Sequence, residues 1–518
     1  MNRTTGKGLQ ILSLLALLAL TGCSTATKAE MKKEEQSNQT TTDQEKELDD
    51  DIELSGLKDT EGTELNLADY SQGARITKGG TYTLSGSTTG PVAVEAGSEE
   101  VTLNLKAATI RTEGLPAIFV RSAGSVTVNV SGQNVLETTG FAQYEELNAA
   151  FYSKDDLVIK GDGTLKVTSS FGHAIKAKDS LESDKATLIL NSAQDGIHIN
   201  ETGTFQGGSL TITSTDEGIQ SETDLLFNGV EVNITSSGDG IRAENDLSIS
   251  SGKLSINSGN EGLESKKTLT ISGGTVNIQA VDDGINAASS LTISGGEVTS
   301  VSSTNDGIDS NGDLILSGGT IVSSGIKSPE IAFDTDNTPF EISGGTIIGL
   351  GSMGQNPTKM DQNVIELNVS SLQNVKITQD GNTLLDWSAP QGMKGQSGVL
   401  TLSVSGLQAG KDAVISVNGT EQTVSVSEGL TTVGQIATMG GQGGPGGQGG
   451  PDQSGLQAPG NGDTDSSSPP EDFDPSQRPG GSNSSSRPGG DSQNGNRRPG
   501  NRPNEDTNSS ATSQGEDF

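Results

Sequence analysis

Cysteine occurs once in the 518 residues, at Cys23, so no disulfide within the chain can staple the fold. Aromatic residues make up only 3%, with a single Trp, too few for an ordinary large globular core or a flat stacking platform. Positive charge is scarce: 32 Lys and Arg stand against 67 Asp and Glu, a net charge of −35. That argues against nucleic acid as a partner, because phosphate recognition needs positive charge. The partners left are cations, neutral surfaces, and anions reached through bound cations. No apolar run reaches the roughly 18 residues of a membrane-spanning helix, and no stretch shows helical periodicity.

The ends are set apart by composition. Met1 to Gly8 is a short basic start, Leu9 to Leu20 is a mostly apolar run of 12 residues, and Leu20-Thr21-Gly22-Cys23 closes it. Residues 1–22 read as a signal peptide. The closing four residues resemble a bacterial lipobox, which implies cleavage before Cys23 and a lipid on its sulfur. The expected location is therefore the extracellular face of a bacterial cell membrane, held by that anchor. Residues 23–52 read as a flexible tether, and residues 439–518, rich in Gly, Pro, Ser and Asn, as a disordered tail.

Between these ends the sequence repeats. Gly196, Gly218, Gly240, Gly262, Gly284 and Gly307 step by 22, 22, 22, 22 and 23, each preceded by Asp or Glu and followed by Ile or Leu. A second glycine series, Gly207, Gly229, Gly252, Gly273, Gly295 and Gly318, runs in phase with one slip at Gly252. Each period holds three short runs of alternating apolar residues, such as Val276 and Ile278, Ile285 and Ala287, Leu291 and Ile293. Three short strands per turn, stacked on similar neighbours, predict a right-handed parallel β-helix over residues 53–350. Internal columns follow, one of them Ile197, Ile219, Ile241, Leu263, Ile285 and Ile308. A leucine-rich horseshoe would need a helical or looser segment in each period, and none is visible. Residues 351–438 read as a β-rich cap on the open end, with Trp387 in its core.

Stacking turns one sequence position into a ladder: Asp195, Glu217, Asp239, Glu261, Asp283 and Asp306, with Asp216 and Asp282 one position earlier. Rungs about 4.8 Å apart make adjacent carboxylates repel by about 0.9 kcal/mol in water and about 3.5 kcal/mol at an effective dielectric of 20. Such a column either raises carboxylate pKa values or binds cations, and hard oxygen donors suit Ca²⁺. Carboxylates are densest around Asp282, Asp283, Asp306 and Asp309. Asp before Gly is also simply a good turn residue. Two positions after the turn glycine, a row of polar side chains points outward: Lys176, His198, Gln220, Arg242, Glu264, Asn286 and Asp309. This row is the expected face for an extended polysaccharide. A lyase would need a base there, and Lys176, Lys178, Arg242 and His198 stand in position.

The repeated Asp/Glu-Gly-Ile/Leu turns, the Ser-Gly-Gly-Thr turns at Ser272, Ser317 and Ser343, and the opening Gly79 to Gly86 resemble the bacterial carbohydrate-binding β-helix proteins. The resemblance covers about Asp69 to Leu350. It implies a Ca²⁺-binding parallel β-helix similar to polysaccharide lyases. Such a protein binds cellulose and acidic sugars such as polygalacturonate, without established lyase activity. It also implies that the acidic turn residues hold the metal. The reading that results is a surface-anchored, noncatalytic, Ca²⁺-dependent polysaccharide binder. A Ca²⁺-dependent lyase and a structural surface adhesin are the alternatives.

Overall fold

The computed structural model describes Ile52 and residues 54–437, apart from 336, 337 and 356. The leader, Cys23, nearly all of the tether and the tail lie outside the described residues. Among the described residues there is no α-helix; a single 3-10 turn spans Leu67–Asp69. Everything else regular is strand, as the alternating patterns require.

The strands coil into a parallel β-helix of about 13 turns. One sheet collects the first strand of each turn, 13 strands from Lys58–Asp59 to Phe333–Asp334. The second and third strands form the other faces. A typical rung runs Ile197–Ile199, Gly203–Gln206 and Ser209–Thr213. Register follows the sequence repeat: Ile197 pairs with Ile219, Ile219 with Ile241, Ile241 with Leu263, Leu263 with Ile285 and Ile285 with Ile308. The column is fully buried. The interior also stacks Phe205 on Phe227, ring centroids 5.0 Å apart, one of the few aromatic contacts this chain makes.

The slip at Gly252 has a structural reason. Gly252 pairs with Val230, and the next rung sets Thr275 against Lys253. Gly252 therefore aligns with Gly274, the second glycine of the later Gly-Gly turns, and both take positive φ, 109° and 86°. The glycines of the Asp/Glu-Gly turns are different. None of the six has positive φ. A Cβ on Gly196 would lie 2.6 Å from the Gly218 carbonyl oxygen, and one on Gly240 would lie 2.5 Å from that of Gly262. Close packing of one rung on the next, rather than turn conformation, keeps these positions glycine.

The solenoid is covered at both ends. Near its start, Ile52 and Leu54 pack with Phe119, Leu147 and Tyr152 over the outer face of the first-strand sheet. At the far end, strand Thr346–Gly351 pairs antiparallel with Gly398–Val404, which also pairs with Val364–Val369. A four-stranded antiparallel sheet follows, and Trp387 packs half-buried against its core. Seven strands lie between Val364 and Val433.

Candidate functional site

The acidic ladder exists as one physical column. The backbone N–H of Gly196 donates to the Glu217 carbonyl, that of Gly218 to Asp239, Gly240 to Glu261, Gly262 to Asp283 and Gly284 to Asp306. The four aspartates are buried: Asp195 is 2% exposed, Asp239 1%, Asp283 5% and Asp306 6%. The two glutamates, Glu217 and Glu261, are half-buried.

Three rungs use one carboxylate oxygen for the fold. Asp239 Oδ1 accepts from the Glu261 N–H at 3.2 Å, Asp283 Oδ1 from the Asp306 N–H at 3.0 Å, and Asp306 Oδ1 from the Ile331 N–H at 2.6 Å. The second oxygen is less tightly held: Asp283 Oδ2 accepts from Asn286 Nδ2 at 3.3 Å, and Asp239 Oδ2 has Arg242 Nη1 at 3.8 Å. Asp239 Oδ2 and Glu261 Oε2 are buried with no hydrogen-bond partner. A buried acceptor in that state costs free energy unless a proton or a cation meets it.

Crowding shows in the titration. Burial first, then Asp195, pushes Glu217 up to about 8. Burial and Glu261 push Asp239 up to about 6. Burial, with Asp309, Asp306 and Asp282, pushes Asp283 up to about 8. Burial, with Asp334, Glu330 and Asp309, pushes Asp306 up to about 7. Asp195 is the exception. Burial would raise it, but hydrogen bonds and charge from His173 and His198 outweigh that and hold it well below the usual range.

The outward row is continuous: Lys176 pairs with His198, His198 with Gln220, Gln220 with Arg242, Arg242 with Glu264, Glu264 with Asn286 and Asn286 with Asp309. Asp334 extends it by one rung, which the sequence reading missed because no glycine precedes it there. Arg242 and His198 are committed to neighbouring acids. Arg242 Nη2 lies 2.7 Å from Glu244 and Nη1 3.3 Å from Glu264, with Asp239 at 3.8 Å. His198 Nδ1 lies 2.8 Å from Asp195 Oδ2, and Nε2 lies 3.6 Å from Glu222. Glu264, expected to face solvent, is 3% exposed and bridged to Lys266 as well as to Arg242. A ligand on that rung meets cations, not the carboxylate.

The ladder thus divides. Its upper rungs carry resident partners: His198, whose pKa Asp195 and Glu222 raise against its burial, and His173, which burial keeps neutral, at Asp195, and Arg242 at Asp239. Its lower rungs run Asp282, Asp283, Asp306, Asp309 and Asp334, and the strongest charges acting on Asp283 and Asp306 are all acidic. Among the described residues, three ligand atoms fall within 4.8 Å of one another in two groups: Asp195 with Asp216 and Glu217, and His173 with Asp195 and His198. His173 was not anticipated, although it lies 22 residues before Asp195; Ala174 stands where the marking glycine would be.

A second concave feature lies on the third-strand face. A cavity of about 530 Å³ is lined by Thr213, Asn233, Ser255, Asn257 and Asn277 and walled by cap residues Pro390–Gly392. No charged residue lines it.

Comparison with known proteins comes last. A family model described as carbohydrate-binding domain-containing protein matches residues 71–307 and 251–444. A protein of Acetivibrio thermocellus with the same description is 30% identical over 179 residues, which are 33% of this chain and 59% of that relative. The matched region therefore spans less than two thirds of the relative. No solved structure matches.

Proposed function

The chain belongs to the carbohydrate-binding domain-containing protein family, and on that premise we propose that it binds polysaccharide without cleaving it, using Ca²⁺ on the acidic ladder. The observation that carries this is the lower half of the ladder, where buried carboxylates face one another across rungs without a resident cation among their strongest influences. The donor types suit Ca²⁺: carboxylate oxygens throughout, with unpartnered buried oxygens at Asp239 and Glu261. Asp282, Asp283, Asp306 and Asp309 would hold one ion. Asp216 and Glu217, with Asp195, form a second oxygen set, and Asp239 with Glu261 a third.

Bound Ca²⁺ supplies positive charge beside the outward row. A uronate carboxylate, as in a polygalacturonate chain, then has a partner on a protein of net charge −35. Lys176, Gln220 and Asn286 offer hydrogen bonds to hydroxyls along the same face. A lyase role is disfavoured by the ties that His198 and Arg242 already make, since neither is set up to accept a proton from a sugar. The uncharged groove on the third-strand face favours a second reading, a neutral glucan such as cellulose lying against amide and hydroxyl ladders.

The test is retention of the chain on immobilised polygalacturonate. Binding should be lost on chelation and restored by Ca²⁺, with no rise in unsaturated-uronate absorbance. Chelator-insensitive retention would refute the bridging role, and an absorbance rise would establish a lyase. Anchoring through Cys23 predicts that Cys23→Ser moves the protein from the membrane fraction to the medium; unchanged fractionation would count against the lipid.

A further inference from the structure

The chain has two histidines in 518 residues, and the fold brings both to one carboxylate. His173 stands directly above Asp195 in the ladder column, because Ile175 pairs with Ile197. His198 stands beside it in the outward row. Asp195 Oδ2 lies 3.2 Å from His173 Nδ1 and 2.8 Å from His198 Nδ1. The imidazole centroids are 4.7 Å apart and tilted by 31°. All three ligand atoms fall within 4.8 Å of one another.

We propose that His173, Asp195 and His198 form a site for a borderline divalent metal, Zn²⁺ in the first instance, distinct in chemistry from the lower calcium rungs and sharing Asp195 with the Asp195, Asp216 and Glu217 oxygen set. Metal–ligand bonds of about 2.0–2.2 Å in tetrahedral geometry place donor atoms about 3.3 Å apart. The observed separations from Asp195 need only a few tenths of an ångström of expansion.

The protonation state also suits a metal. The Asp195 backbone N–H donates to His173 Nδ1 at 3.2 Å, so that nitrogen is unprotonated, and a metal would take its lone pair in exchange for this one long hydrogen bond. The far nitrogens have orienting neighbours, as imidazole ligands usually do. Asn148 Nδ2 lies 3.3 Å from His173 Nε2, and Glu222 Oε1 lies 3.6 Å from His198 Nε2. Asn148 Oδ1 is buried without a partner, so turning that amide over would offer the Nε2–H an acceptor. Glu217, beside Asp195, or a water completes the shell. Two imidazoles select against Ca²⁺, which takes oxygen, and toward zinc-like ions. The same fold position thus changes metal class where its residue changes from carboxylate to imidazole.

The full chain would be titrated with Zn²⁺ by calorimetry in saturating Ca²⁺, and with Co²⁺ by visible absorption. The expected result is one Zn²⁺ per chain and Co²⁺ bands of nitrogen-containing tetrahedral coordination. His198→Gln, at a half-buried position, should weaken Zn²⁺ about 100-fold or more, with its β circular dichroism and its Ca²⁺ response retained. Asp283→Asn should leave Zn²⁺ affinity unchanged. Equal Zn²⁺ affinity in the parent and His198→Gln chains, or loss of Zn²⁺ binding in Asp283→Asn, would overturn the proposal. Either result leaves the calcium reading to its own test.

Discussion

At the scale of the residue, the ladder aspartates show how one side chain serves two ends. Oδ1 of Asp239, Asp283 and Asp306 holds a backbone N–H of the next rung, which explains their burial. The other oxygen has weaker partners, at Asp283 a 3.3 Å hydrogen bond from Asn286 Nδ2. Turn propensity alone accounts for neither, since the following glycines are fixed by rung packing and not by positive φ. The titration has a definite sign. In an unfolded chain these acids ionise near pH 4, whereas in the fold Asp283 does so at about 8 and Asp306 at about 7. An acid whose folded pKa is raised stabilises the fold below its unfolded pKa, and that stability is lost as pH rises through the folded value. Asp195, held low, is ionised throughout this window. The calcium-free chain should therefore melt at progressively lower temperature between about pH 5 and pH 8. A flat or rising profile, followed by circular dichroism, would contradict the crowding.

At the scale of the element, the alternating triplets and the 22-residue phase were enough to name every strand column, because a parallel β-helix converts sequence period directly into spatial register. The interior Ile and Leu columns, the ladder and the outward row were all legible for that reason. What period cannot reveal is which partner a side chain chooses. Arg242 turns onto Glu244 and Glu264, Glu264 withdraws from solvent, and His173 joins a column whose marking glycine is absent in its own turn. The cap lay beyond the repeat, so its seven strands carried no phase to read. Strand Gly398–Val404 closes the open edge by pairing with both Thr346–Gly351 and Val364–Val369. Leu402, fully buried in that layer, should be intolerant of charge. Leu402→Asp is expected to cost several kcal/mol, on the order of 3–5, and to expose the edge to self-association. Light scattering checks this; a monomeric variant that melts like the parent would show that the edge needs no such cover.

At the scale of the whole molecule, a rod of 13 first strands at about 4.8 Å per rung is roughly 60 Å long. Along it run a half-neutralised acidic column, a polar row beside it and an uncharged groove on another face. On the proposed function, this distribution would let a strongly acidic protein meet an acidic glycan through ions and a neutral one through hydrogen bonds. The first role depends on the column taking divalent charge. The most direct measurement is thermal unfolding of the full chain near pH 8, in Ca²⁺ and in chelator, beside the Asp283→Asn/Asp306→Asn double variant. The account predicts that Ca²⁺ raises the midpoint of the parent clearly. The double variant should be more stable than the parent in chelator and gain less from Ca²⁺, because only the lower set is removed. Superimposable melts of the parent with and without Ca²⁺ would contradict it.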